Sequence, residues 1–163
     1  MYRRVALVSV SAVACMSAAA VWISASGTAA GGVAVPSPSA SAARMCGALH
    51  DALPGKVDGL SKRSVSPVSD LTAGWGDPTV VLRCGVPRPE MLTPGNPVYN
   101  PTAEAVEVNG VSWLVEQTGD GYRFTTTGRK AFVEVTVPAR YKPEVNPLTD
   151  LGHAVETTIP SEL

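Results

Sequence analysis

The amino-acid sequence predicts an α+β fold, an antiparallel sheet of four to five strands with an N-terminal and a C-terminal helix packed on one face. The run Thr79-Val80-Val81-Leu82, inside WGDPTVVLRCGVPRP (residues 75–89), has no polar alternation and reads as a strand buried on both faces. From Val106 onward the apolar period is two, the pattern of strands with one face in water. Segments of three-and-four apolar spacing stand before and after the strand-rich part, and these are the helices.

The chain divides by composition. Arg3 and Arg4 precede Val5–Ile23, nineteen residues without a charge, the pattern of an export signal. Residues 1–25 are therefore expected to be a signal peptide or an N-terminal membrane anchor. The run just reaches bilayer-spanning length. Its serines and the small-residue sites Ile23-Ser24-Ala25 and Thr28-Ala29-Ala30 leave cleavage and retention both open. Cys15 fits lipid attachment poorly, because the apolar run continues past it through Ile23. Residues 26–43, rich in Ser, Ala and Pro and uncharged, read as a flexible linker. Residues 44–163 form a single extracytoplasmic domain, long enough for one small core.

Within that domain Met45–Leu53 reads as a short helix, with Cys46, Leu49 and Leu53 on one face and Pro54-Gly55 as its stop. Leu60–Val68 is a polar-interrupted edge strand, with Pro67 near its end. Thr79–Val86 is the central strand, entered by Asp77-Pro78. Five prolines between residues 87 and 105 exclude helix and central strand there, leaving a long crossover. Val106–Val108, the turn pair Asn109-Gly110, Val111–Gln117, Tyr122–Thr127 and Ala131–Val137 make an antiparallel meander. Tyr122, Phe124 and Thr126 share one face of their strand, and the last strand puts Ala131, Val133, Val135 and Val137 inward, with Glu134 and Thr136 outward. Asn146 as N-cap with Pro147 behind it opens the last helix, whose stripe is Leu148, Leu151 and Val155.

No metal or cofactor site is expected, and no catalytic residue is assigned. The two histidines, His50 and His153, have no partner at ligand spacing, and neither a nucleophile elbow nor a phosphate or dinucleotide loop is present. Arg3 and Arg4 take two of the thirteen basic residues, so eleven basic against fourteen acidic residues leave the exported part with three net negative charges. That argues against a nucleic-acid partner, and none is expected. The exported part holds two cysteines, Cys46 and Cys84, and an oxidising compartment pairs them. Cys46 shares the apolar stripe of the first helix and Cys84 ends the most apolar strand. Trp75, Asp77 and Arg83, the polar and aromatic residues nearest the central strand, are the candidate interaction residues. Asp77 before proline also serves as a turn residue, and Arg83 beside a buried strand also fits a structural ion pair.

These stretches resemble the actinobacterial domain-of-unknown-function family 3515. The resemblance lies in Arg83-Cys84-Gly85 within WGDPTVVLRCGVPRP, in CGALHDALP (46–54), in EVNGVSW (107–113), and in GYRFTTTGR and FVEVTVPARY. It implies a small exported or membrane-anchored protein of high-GC Gram-positive bacteria, with no assigned activity. The functional expectation is a non-catalytic interaction or structural module of the cell envelope. It would meet the membrane through its N-terminal segment if that is not cleaved, and an envelope protein or cell-wall component through its domain. The alternatives are an envelope enzyme using Asp77, Arg83 or His50 at an unrecognised site, and a small-ligand carrier. A reporter active only after export, fused after Ala43, is expected to be active; activity there of a reporter that works only in the cytoplasm would contradict the compartment.

Overall fold

The computed structural model describes residues 32–162, so the expected signal or anchor lies outside the described residues. The elements in order are α1 (Ala40–Ala52), β1 (Lys56–Val57), β2 (Leu60–Arg63), β3 (Thr72–Trp75), β4 (Val80–Val86), β5 (Ala105–Val108), β6 (Val111–Thr118), β7 (Gly121–Thr126), β8 (Phe132–Pro138) and α2 (Asn146–Thr158). All strands join one antiparallel sheet of eight, in the order β1-β2-β3-β4-β8-β7-β6-β5. Two four-stranded meanders thus meet where β4 pairs with β8.

The fold class is α+β as expected, but the sheet has eight strands rather than four or five. Two of the eight have no strand signal. β1 has only two residues, held opposite β2 by the Asp58-Gly59 turn, where both residues have positive φ. β3 reads Thr-Ala-Gly-Trp, and alanine and glycine are poor strand formers. Pairing to β2 and β4 on its two edges overrides that preference, and all four of its residues are buried.

One face of the sheet is the core. Cross-strand register aligns Trp75 with Val80, Leu82 with Val135, Cys84 with Val133, Phe124 with Val135, and Trp113 with Thr126. Leu49 of α1 and Leu148, Leu151 and Val155 of α2 join these residues in one apolar cluster. The two helices also pack on each other, above the sheet. Gly152 brings α2 close: a Cβ there would stand 3.2 Å from the Val108 carbonyl oxygen. At the end of α2 the buried Arg129 donates from Nη1 to the carbonyl of Ile159 (2.8 Å) and from Nη2 to that of Gly110 (2.8 Å). It ties the helix to the β5–β6 turn and neutralises the negative end of the helix dipole.

The strand expected over Leu60–Val68 stops at Arg63, and both helix starts differ from expectation. Helix α1 starts at Ala40, inside the stretch expected to be linker, because the Ser39 hydroxyl accepts the Ala42 N–H (3.2 Å) and caps it. In α2 the cap position falls on Val145, while Asn146 reaches instead toward Asp58 (3.4 Å). Strand β4 also corrects its reading as buried on both faces: its residues alternate between buried and half-buried. Gly85 is a bulge with φ +87°, and past it Val86 lies opposite Phe132.

Cys46 and Cys84 are joined in a disulfide with their Cα atoms 5.5 Å apart, both nearly inaccessible. It links α1 to the middle of the sheet. Closing a loop of 38 residues stabilises by about 4 kcal/mol in the chain-entropy picture. Replacing both cysteines with alanine is expected to lower the thermal midpoint by on the order of 10 °C. An unchanged midpoint would show that the bond is dispensable to the fold.

Candidate functional site

The second face of the sheet is not the wet surface that the period-two pattern suggests. The chain leaves β4 in the middle of the sheet and must enter β5 at the far edge, past β8, β7 and β6. At about 4.8 Å per strand that crossing is ~19 Å. The Pro-rich segment 87–104 makes it, and it is braced by its own hydrogen bonds rather than by a ladder. The Thr93 hydroxyl donates to the Pro89 carbonyl (2.9 Å), Arg88 Nε to the Leu92 carbonyl (3.0 Å), and the Asn100 N–H to the Met91 carbonyl (2.9 Å). Asn96 and Asn100 each accept the N–H two residues on, closing two side-chain turns. The result is a shaped wall, with Val98 and Tyr99 exposed at 54% and 42%.

Between this wall and the sheet lies a groove of about 380 Å³. Its floor follows from register: Arg83 lies opposite Glu134, Glu134 opposite Thr125, and Glu116 opposite Arg123. Its walls are Val86, Pro87, Arg88, Pro89, Glu90, Met91 and Val98. Three guanidinium groups and three carboxylates thus line one concavity, interleaved with valine, proline and methionine. Arg83 Nε and Nη2 both donate to Glu134 Oε1, at 2.9 and 2.8 Å. Glu134, expected to point into water, is 7% exposed, and this charge-assisted pair is what lets it lie there. Arg123 stands 4.0 Å from Glu116, beyond hydrogen-bond length, and the Arg88 guanidinium lies 5.9 Å from the centre of the Phe132 ring.

The three sequence candidates do not form one site. Trp75 is fully buried on the core side, its indole N–H donating to the Pro54 carbonyl (3.0 Å), so it offers no contact surface. Asp77 is exposed in the β3–β4 turn, 3.7 Å from Arg63. Arg83 alone lines the groove, and it does so as half of an ion pair. His50 lies elsewhere, in a cleft with Lys62, Arg63 and Thr72, its buried Nδ1 without a hydrogen-bond partner among the described residues.

The groove residues Arg88, Glu116, Arg123 and Glu134 escaped sequence reasoning because each looks like an ordinary outward charge. The available signal was the alternation itself: Glu116, Arg123 and Glu134 all fall on the face opposite Trp113, Phe124 and Val133. Among the described residues no group of three or more His, Cys, Asp or Glu is placed to hold a metal ion, and no helix is long and apolar enough to cross a membrane.

A family model described as "Protein of unknown function (DUF3515)" matches residues 4–163. The chain belongs to this family. No curated protein and no solved structure matches it. For this DUF3515 chain the geometry of the site is therefore the guide to its chemistry.

The Arg83–Glu134 pair yields a direct test. Arg83→Ala leaves a buried carboxylate without its partner and is expected to cost about 2 kcal/mol, several degrees in the midpoint. Arg83→Ala combined with Glu134→Leu removes the orphaned charge and is expected to recover part of that loss. A double variant no more stable than Arg83→Ala alone would show that the pair does not carry the effect.

Proposed function

We propose that the chain is a non-catalytic interaction module of the cell envelope, and that it engages a protein or cell-wall partner through the second-face groove. The observation that carries this is the braced Pro-rich wall, which holds exposed Val98 and Tyr99 beside a concavity of mixed charge. Contact surfaces of this kind combine apolar anchors with charged groups that set orientation. Arg123 and Arg88 have donors to offer an incoming carboxylate or carbonyl, and Glu90 and Glu116 acceptors for a cation. The partner that suits them is a surface or peptide carrying both signs of charge.

The compartment is outside the cytoplasm. The N-terminal pattern of two arginines and an uncharged apolar run supports export. The Cys46–Cys84 disulfide agrees with an oxidising environment. Whether residues 1–25 are retained or removed, the domain then works in the envelope, bound to the membrane or released from it.

A photocrosslinking residue placed at Val98 in the cell-expressed full chain is expected to form a discrete adduct, while one at exposed Thr157 on α2 is not. Arg123→Glu is expected to remove the adduct by reversing a charge in the groove without touching the core. Equal labelling from both positions, or an adduct indifferent to Arg123→Glu, would count against the groove.

A further inference from the structure

The second face of the sheet already holds one peptide, the chain's own residues 33–38, which run without helix or strand pairing into α1. The Val33 N–H donates to the Ser66 carbonyl (2.7 Å). Arg83 Nη1 donates to the Ala34 carbonyl (3.3 Å), while Nε and Nη2 of the same guanidinium hold Glu134. Pro38 lies on Gly85: a Cβ built there would meet the Pro38 Cβ at 2.6 Å, closer than real atoms approach. The φ of +87° at Gly85 separately favours glycine. Ser39 then caps α1, and Cys46 within that helix is bonded to Cys84.

Arg83 and Gly85 therefore hold the strap itself, and Cys84 between them holds the helix that the strap leads into. Arg83 uses a charge-assisted hydrogen bond to Ala34 and Gly85 the absence of a side chain beneath Pro38, while the covalent bond of Cys84 fixes Cys46 in α1. We propose that Arg83 and Gly85 form a receptor for the chain's own N-terminal strap, Val33–Pro38, with Cys84 anchoring α1 at the end of the strap, and that the strap regulates the groove. The regulatory half rests on the groove reading above. Its basis is shared residues. Arg83 lines the groove while it holds Ala34, and Val86 and Pro87 line both the groove and the cleft that contains Ser37 and Pro38. With the strap seated, Nη1 of Arg83 is engaged by the chain itself. With the strap lifted, that donor and the surface beside Gly85 open to an incoming carbonyl or carboxylate. Strap and partner compete for one guanidinium.

The test is amide hydrogen exchange on the full chain, paired with crosslinking from Val98. In the unaltered protein the Val33 amide is expected to be protected. Gly85→Ala is expected to speed its exchange at least about tenfold, the signature of a local opening, and to raise the yield of Val98 adduct. Gly85→Ala strains the sheet, so Pro38→Ala serves beside it: it shrinks the contact from the strap side and is expected to move both readouts the same way by less. An unprotected Val33 in the unaltered protein, or protection unchanged in both variants, overturns the strap. A strap that opens while the adduct yield stays level or falls overturns the regulation. Absence of adduct in every form means that the groove reading has failed and the regulation with it, while faster Val33 exchange would still support the receptor role of Arg83 and Gly85.

Discussion

Strand β4 is bonded in every direction available to it, and the rest of the molecule depends on that. One edge pairs with β3 and the other with β8, and the β4–β8 ladder joins the two meanders. On the core face a disulfide fastens it to α1. On the second face Arg83 reaches Glu134 of β8 and the carbonyl of Ala34. A strand so constrained cannot slip register without breaking a covalent bond and a buried ion pair together, and in a two-sided sheet a one-residue slip would invert every side chain. The bulge at Gly85 adds a further condition, since the face that Val86 presents depends on it.

Much of the fold was legible because period and punctuation are local properties. The β5–β8 meander was readable from alternation and from Asn109-Gly110, and α2 from Leu148, Leu151 and Val155. The Cys46–Cys84 pairing needed only a compartment and a count. What was hidden depends on distant partners. Thr72-Ala-Gly-Trp75 becomes a strand because two neighbours supply ladders, and nothing in four such residues announces that. Glu134 becomes a buried ion only because antiparallel register sets it opposite Arg83, fifty-one residues earlier. Trp75 is legible from sequence as a core aromatic as well as a candidate contact, and the facing of β3 decides for the core. The strap reads as linker because its Ser, Ala and Pro composition has no apolar stripe, and its contacts run largely through backbone carbonyls and a missing Cβ.

The groove is a by-product of topology. Joining two meanders through β4 and β8 leaves β5 at the far edge, so the connection from β4 has to cross half the sheet. It can cross only on the second face, because both helices occupy the first. Proline suits such a crossing: it stiffens the backbone without donors that would need a ladder. The same segment that solves a connectivity problem thereby becomes one wall of a concavity, and the polar side chains beneath it lose much of their water. The Arg83–Glu134 pair is the response of the floor to that loss.

The position of the disulfide has a mechanical consequence. If the domain is loaded through residues preceding Val33, the pull first peels the strap and then the first two turns of α1, each held by a few weak bonds. Unravelling then halts at Cys46. From there the covalent link passes the tension to Cys84, which sits in the middle of the sheet with hydrogen-bonded neighbours on both edges. Only about fourteen residues, Val33 to Cys46, can pay out before the core bears the load, at most ~50 Å of extended chain. A small domain of this design behaves under tension as a short elastic lead with a hard stop.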